Sequence, residues 1–207
     1  MSSEFASKDL TIGQINAIVK KLGGHAAALQ FLRGETVVSG PESAWREMDG
    51  VICFSVTSDG TTGEEWISLL EEGFMPSPYT KSVLRSPDFK PTRGVTTELA
   101  VLKGMLFGDN DRITRKIRAV ADERKLRKPN AEVACLIRQK FTDREIEAMG
   151  LHVIVTMHEP IADFQGTSTL FRVTGSSSCG LRADHGGLGD RFNRGHGFAF
   201  IVRQASA

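Results

Sequence analysis

The sequence lacks the features of a membrane or secreted protein. No apolar run approaches the roughly 20 residues that a transmembrane helix needs, and the N-terminus has no apolar signal-peptide core. The chain has only three cysteines, which lie far apart with no Cys-x-x-Cys pair: Cys53, Cys135 and Cys179. This spacing predicts reduced thiols, not a disulfide scaffold. These absences predict a soluble, cytoplasmic protein.

The chain also lacks an excess of either charge. Its 26 basic and 25 acidic residues give a formal net charge of +1, so binding to nucleic acid or to a membrane would require a local patch. With 207 residues, of which 40% are hydrophobic, the chain is long enough to bury a core. We predict a disordered N-terminus over residues 1–9 and a single domain over residues 10–207.

The clearest local pattern is a strand, a loop and a helix between Asp49 and Phe74. Residues 50–57 are rich in β-branched and apolar types and stop at a Ser-Asp-Gly turn signal, which is typical of a buried strand. Thr62 and Glu65 have the spacing of a capping box, which predicts that a helix begins there.

Residues 10–34 predict an αα hairpin, with a second capping box at Thr11 and Gln14 and a break at Gly23-Gly24. The same segment partly matches a DNA-binding helix-turn-helix. However, its second helix offers only one Gln and one His for reading bases. A packing hairpin is therefore the favoured interpretation.

The rest of the chain predicts an α+β fold. The prolines between residues 76 and 91 allow only a short helix, within a loop that covers an edge of the sheet. A β/α part over residues 50–149 then gives way to antiparallel strands within residues 151–203. The predicted strands after the first cover residues 95–103, 151–157, 169–174 and 197–203. We expect a mixed, largely antiparallel sheet covered by helices.

Several blocks of sequence together resemble a known group of proteins. They lie at residues 54–63, 81–92, 130–151, 157–161 and 197–200. On these blocks the chain resembles, over roughly residues 10–203, a family of hypothetical proteins from candidate-phylum bacteria. The resemblance implies a bacterial, intracellular protein, and it implies no activity or catalytic residue.

The first candidate site is the loop that precedes the helix at Thr62. Thr61, Thr62 and Gly63 stand where backbone N–H groups at a helix N-terminus attract anions such as phosphate. No Gly-Lys-Ser/Thr motif is present, and Asp59, Glu64 and Glu65 bring negative charge to the loop. Helix capping explains the same residues without a ligand.

The second candidate site is a set of polar residues in the C-terminal third that includes His158, Glu159, Asp184, His185 and His196. They would form an acid and base pair or a metal site if the glycine-rich segment over residues 175–197 folded back over His158. No His-x-x-x-His spacing supports a metal site, and polar residues at strand ends and in loops are the alternative.

The third candidate site is a basic helix predicted over residues 111–127. Arg115, Arg118 and Lys125 can lie along one side of it and contact phosphates. Asp122 and Glu123 interrupt this charge, which favours an exposed amphipathic helix instead.

The sequence therefore favours two classes of function. The leading hypothesis is a binding or interaction protein without a cofactor, whose partner is a protein or a small molecule in preference to nucleic acid. The alternative is a small metal-dependent or acid/base hydrolase that uses the histidines and carboxylates of the C-terminal third. Nucleic-acid binding through the basic helix is a third, weaker hypothesis.

Overall fold

A computed structural model describes residues 11–22, 24–33, 44–175 and 180–202. The chain divides into two compact units, residues 1–43 and residues 44–207. Within the described ranges, no helix is both long enough and apolar enough to cross a membrane.

The first unit contains the predicted helical hairpin. It consists of α1 (Ile12–Lys21) and α2 (His25–Leu32). The Thr11 hydroxyl accepts a hydrogen bond from the Gln14 N–H, and the Gln14 side chain accepts one from the Thr11 N–H, which confirms the capping box. A further short strand at Val37-Val38, which the β-branched pair predicts, lies outside the described residues.

The second unit contains five helices and eight strands in its described part. The helices are α3 (Gly63–Glu71), α4 (Pro78–Leu84), α5 (Thr114–Glu123), α6 (Glu132–Lys140) and α7 (Asp143–Ala148). The strands are β1 (Arg46–Met48), β2 (Val51–Asp59), β3 (Arg93–Lys103), β4 (Val153–Thr156), β5 (Ile161–Ala162), β6 (Ser168–Thr174), β7 (Leu181–His185) and β8 (His196–Ile201).

The eight strands form one mixed, mostly antiparallel sheet, as the sequence predicts. Its order is β1-β2-β3-β8-β4-β6, and only β4 and β8 run parallel. β5 pairs with β6 on the same side as β4, and β7 pairs with the other side of β6. β8, the last strand in sequence order, therefore lies in the centre of the sheet.

The sheet separates two hydrophobic cores because side chains alternate between its faces. On β8, Ala199 belongs to the core beneath α3, α4, α6 and α7, whereas Phe198 and Phe200 belong to the core beneath α5. Ile117 and Ala121 are the α5 residues in that second core. The sheet is therefore covered by helices on both faces.

The proline-rich segment after α3 covers an edge of the sheet, as predicted. Ser77 caps α4, and Pro78 occupies its first turn, where a missing N–H costs nothing. The Thr80 side chain is fully buried, and its hydroxyl accepts a hydrogen bond from the Ala183 N–H of edge strand β7 at 3.1 Å.

Three strands differ from the sequence prediction. β1 and β5 have only three and two residues, too few to show an alternating pattern. β7 lies inside the glycine-rich segment that we expected to form a loop, because β6 supplies its hydrogen-bonding partner. After β7, the carbonyls of Leu188 and Asp190 accept hydrogen bonds from the first N–H groups of α5, so this part of the segment packs against α5.

Candidate functional site

A cleft of about 610 Å³ lies where β2 ends and α3 begins. A β-bulge shifts the register between Thr57 and Asp59 and places Asp59 opposite Arg93 on β3. Gly60 then turns the chain with a φ of +92°, which favours glycine. We call this cavity the β2–α3 cleft. Its lining residues are Asp59, Gly60, Thr61, Glu65, Ser68, Leu69 and Arg93.

The predicted capping box at the start of α3 is present. The Thr62 N–H donates to Glu65 Oε2 at 2.7 Å, and the Glu65 N–H donates to Thr62 Oγ1 at 3.4 Å. Two N–H groups that would face an anion therefore already have carboxylate or hydroxyl partners. Helix capping thus accounts for Thr61, Thr62 and Gly63 without a phosphate, and anion binding at these three residues stays a prediction.

Gly63 has a packing reason of its own. A Cβ atom at this position would lie 1.9 Å from the Leu84 carbonyl oxygen and 2.8 Å from its carbon. Only a residue without Cβ allows α3 and the end of α4 to approach this closely. The glycine therefore serves the contact between the two helices.

Both carboxylates in the β2–α3 cleft are held ionised by their own turns. Hydrogen bonds from the Thr61 hydroxyl and N–H to Oδ1 lower the pKa of Asp59, and the nearby Arg93 charge adds to the effect. Hydrogen bonds from the Thr62 N–H and hydroxyl lower the pKa of Glu65. In both cases the turn occupies one carboxylate oxygen.

Three charged side chains in the β2–α3 cleft have atoms that remain available for a hydrogen bond to a ligand. In the described part of the chain, Asp59 Oδ2 and Glu65 Oε1 accept no hydrogen bond from another residue, and the Arg93 guanidinium donates none. The cleft therefore presents two carboxylates and one guanidinium to solvent. The sequence reasoning noted Asp59 and Glu65 as a source of negative charge, but it missed Arg93, because only the pairing of β2 with β3 brings that residue to the loop.

A buried polar network lies directly behind the cleft. The Thr92 N–H donates to Glu132 Oε2 at 2.9 Å, and Thr92 Oγ1 lies 2.8 Å from both that oxygen and Ser58 Oγ. Ser58, the residue at the bulge, also accepts from the Val95 N–H at 3.2 Å. Burial raises the pKa of Glu132, whose side chain is 2% exposed. This network fixes the strand residues next to Asp59 and Arg93, and sequence reasoning missed it because a glutamate in the first turn of a helix is usually exposed.

His158 fills a gap in the sheet. β4 and β5 both pair with β6, and residues 157–160 between them interrupt this pairing. In this gap His158 Nε2 accepts a hydrogen bond from the Phe171 N–H of β6 at 3.0 Å. The other ring nitrogen, Nδ1, donates to the Glu159 carbonyl at 2.6 Å. The ring is 1% exposed, and burial lowers its pKa to about 4. Both nitrogens of the neutral ring are therefore occupied by backbone groups.

Three of the other four predicted catalytic residues have separate partners, whereas the buried Nδ1 atom of His196 has none in the described part of the chain. Glu159 forms an ion pair with Lys128 at 2.6 Å, which lowers its pKa. Asp184 lies 3.5 Å from Arg172 and 3.4 Å from Arg182, and the exposed His185 pairs with Asp190 at 2.7 Å. Burial lowers the pKa of His196 to about 4.

A shared catalytic role for these five residues stays a prediction. In the ranges described, no hydrogen bond or ion pair joins His158 to Asp184, His185 or His196. The segment that follows His185 packs against α5, whereas the His158 ring packs against Phe171 in the other core. No group of three or more His, Cys, Asp or Glu side chains among the described residues is placed to hold a metal ion.

The predicted basic helix is shorter than expected, because α5 covers only Thr114–Glu123 and leaves Arg112 and Lys125 outside it. Several positive charges in α5 and next to it have structural partners. Arg118 Nη2 donates to the His158 carbonyl at 2.8 Å, and Lys116 pairs with Asp111 at 2.5 Å. Arg112 is 9% exposed and donates to the Phe107 carbonyl. The predicted row of Arg115, Arg118 and Lys125 is thus interrupted at its middle member.

Fold and site together define an α+β protein with a polar, charged cleft at the end of a β-strand. Comparison of the chain with protein-family models, with curated proteins and with solved structures gives no match. The functional argument therefore starts from the side chains in the cleft.

Proposed function

We propose that this chain is a non-catalytic binding protein that holds a small charged molecule in the β2–α3 cleft. The proposal rests on three charged side chains in one cavity that still have atoms without a hydrogen-bond partner. The turns occupy one oxygen each of Asp59 and Glu65 and leave the other, and Arg93 has no hydrogen-bond partner in the described ranges. A ligand that pairs with all three groups forms three charge-assisted hydrogen bonds, at groups that otherwise bind only water.

The charges define the class of ligand. Two carboxylates and one guanidinium are complementary to a molecule with two cationic groups and one anionic group. A basic amino acid has this pattern: its two ammonium groups would face Asp59 and Glu65, and its carboxylate would face Arg93. The partly exposed Leu69 offers apolar surface to the methylene chain between the charges.

Four of the five predicted catalytic residues have partners for their reactive groups, which supports a non-catalytic role, and the fifth, His196, has an Nδ1 atom that is unpaired among the described residues but buried. The His158 nitrogens contact backbone groups, and Glu159, Asp184 and His185 each have a charged partner. A general base needs an unoccupied nitrogen or oxygen within reach of its substrate.

Isothermal titration at low ionic strength with three related probes tests the proposal. L-lysine carries all three charges, cadaverine lacks the carboxylate, and norleucine lacks the second ammonium. Because each exposed ion pair contributes about 0.2–1 kcal/mol, we expect lysine to bind about two- to fivefold more tightly than either analogue. Added salt should weaken the binding.

Variants locate the binding. Arg93→Gln should remove the preference for lysine over cadaverine, and Glu65→Gln, which keeps the capping box, should reduce the preference for lysine over norleucine. Arg85→Gln is the matched control, because Arg85 pairs with Glu64 outside the cleft. Equal affinity for lysine and cadaverine in the unmodified protein would overturn the proposed ligand class. Turnover in a phosphatase, esterase and nuclease screen that is lost in Glu159→Ala would overturn the non-catalytic role.

A further inference from the structure

The helical hairpin formed by α1 and α2 leaves most of its apolar side chains uncovered. Of its residues that the structure describes, only Ala28 is buried. Single large apolar residues on a surface are common, but a contiguous group of them usually marks a contact with another molecule. We call this surface the hairpin face. It consists of six side chains that are each more than a third exposed: Ile12, Ile15, Ile18, Leu29, Phe31 and Leu32.

On α1 the apolar residues lie along one side of the helix. At 3.6 residues per turn, Ile12, Ile15 and Ile18 fall together with Val19 and Leu22 in an arc of about 120°. An arc of this width is typical of a helix that packs against another element. The arc contains no charged residue, so it suits an apolar partner.

The hairpin is too small to be stable without such a partner. α1 and α2 have ten and eight residues, and helices this short are marginal in water on their own. Units below about 40 residues usually need a disulfide, a metal ion or association with another chain. Residues 11–33 contain no cysteine, aspartate or glutamate and only one histidine, so neither a disulfide nor a metal ion can brace the hairpin. Association is the remaining route.

The hairpin face has the area that a dimer needs. For side chains of this size, the exposed fractions correspond to about 600 Å² per hairpin, so two facing hairpins would bury about 1,200 Å². Specific protein interfaces begin at roughly this value. A second copy of the chain also presents the same uncharged surface, as a two-fold symmetric interface requires.

A membrane surface fits the hairpin less well. A helix that lies on an anionic membrane typically carries basic residues along the whole of its polar side. The basic residues of α1, Lys20 and Lys21, are its last two. The earlier part of its polar side consists of Gly13, Gln14 and Ala17, which have no charge to offer to lipid headgroups.

We propose that two copies of the chain associate through the hairpin face, hairpin against hairpin, as a four-helix bundle with two-fold symmetry. The inference goes beyond the charged ligand of the β2–α3 cleft and does not depend on it.

Sedimentation equilibrium of the full chain tests the association. Over about 1–100 μM the mean mass should rise from that of one chain towards that of two, because an interface at the lower end of the size range gives a weak dimer. Residues 11–33 include three basic residues and no acidic one. Added salt should therefore strengthen the dimer, because it screens the repulsion between the two hairpins.

Three variants locate the contact. Ile15→Glu places a charge in the middle of the arc and should keep the protein monomeric over the whole range. Ile15→Ala should raise the dissociation constant about tenfold or more. Alanine is a better helix former than isoleucine, so this loss cannot come from a weaker helix. Ala17→Glu is the matched control, because it introduces the same charge at an exposed position outside the arc and should leave the dimer intact.

Hydrogen exchange of the full chain gives an independent measurement. Because α1 and α2 are marginal alone, amide protection in residues 12–32 should rise with protein concentration, in step with the mean mass. In Ile15→Glu the protection should stay at its low-concentration value. Protection in the strands of the sheet should not depend on concentration in either protein.

Three results would overturn the inference. They are the mass of one chain at every concentration, an equal mass in Ile15→Glu and the unmodified protein, and protection of residues 12–32 that does not depend on concentration. Binding of a monomeric protein to phosphatidylcholine vesicles that contain phosphatidylserine, if Ile15→Glu abolishes it, would assign the hairpin face to a membrane instead. These variants lie outside the β2–α3 cleft, so lysine binding reports separately on the proposed function.

Discussion

Individual buried polar side chains complete the sheet where its backbone pairing fails. Ser58 supplies a hydroxyl to the Val95 N–H at the bulge in β2, and His158 supplies a ring nitrogen to the Phe171 N–H in the gap between β4 and β5. His158 satisfies a buried donor that would otherwise cost about 1–3 kcal/mol, and Ser58 satisfies a partly buried one. Their roles are therefore explained by the sheet itself.

His158 should make stability depend on pH. Its pKa is about 4 in the folded protein and about 6.5 in the unfolded chain. The folded state thus binds fewer protons between these values, so the free energy of unfolding should fall as pH falls from about 6.5 to 4, by up to about 3 kcal/mol. Urea unfolding at a series of pH values measures this slope.

The variant His158→Ala should reduce that slope without abolishing it, because the pKa of His196 is also lowered to about 4. It should cost about 2–4 kcal/mol at neutral pH, because it leaves a cavity and an unpaired Phe171 N–H. His185→Ala is the control, since that side chain is 63% exposed and pairs with Asp190 at the surface. An unchanged slope in His158→Ala would contradict the assignment of the titration to His158.

At the scale of the elements, close packing of α3 against α4 depends on one glycine. Gly63→Ala should destabilise the protein by about 1–3 kcal/mol or more, because the new Cβ overlaps the Leu84 carbonyl and the backbone of α4 must move. Thermal unfolding measures the loss. Gly73→Ala is the matched control: no atom lies within 4 Å of its added Cβ, so that variant should be neutral or slightly stabilising. A similar loss in both variants would show that the contact with Leu84 is unimportant.

Helices and strands were predictable where the residues that signal their ends are close together in the sequence. The predicted capping boxes at Thr11 and Thr62 join residues three apart, and both are present. Gly150 has the positive φ expected after a helix, whereas Gly73 after α3 does not, although both positions look alike in sequence. Strand β7 was not predictable, because its formation depends on pairing with β6 and on a hydrogen bond to Thr80, which is distant in the chain.

The same distinction applies to the site. Asp59 and Glu65 are visible beside a predicted cap, since each pairs with a threonine within three residues. Arg93 reaches the cleft only through the register of β2 with β3, and Glu132 reaches the network behind it only through the packing of α6 on the sheet. No local spacing encodes either contact. The histidine cluster was predicted from residue type alone, which does not report whether a ring nitrogen is free.

At the scale of the whole molecule, residues 44–207 contain all eight strands that the structure describes and both hydrophobic cores. We expect this fragment to fold without residues 1–43, to unfold in one cooperative transition and to retain lysine binding. Circular dichroism during urea unfolding, followed by titration with lysine, tests this. A fragment of residues 44–195, which lacks β8, should fail to fold and serves as the contrast. Loss of the cooperative transition in the 44–207 fragment would contradict the prediction.

The central position of β8 has a consequence for how the protein is made. The strand has five pairs with β3 and four with β4, and it is the element that joins the two halves of the sheet. During translation, every other strand leaves the ribosome before the strand that unites them. The two halves of the sheet therefore cannot be joined, and their apolar surfaces stay exposed, until residues 196–201 have been synthesised. A stalled or truncated nascent chain would then be a substrate for chaperones and proteases.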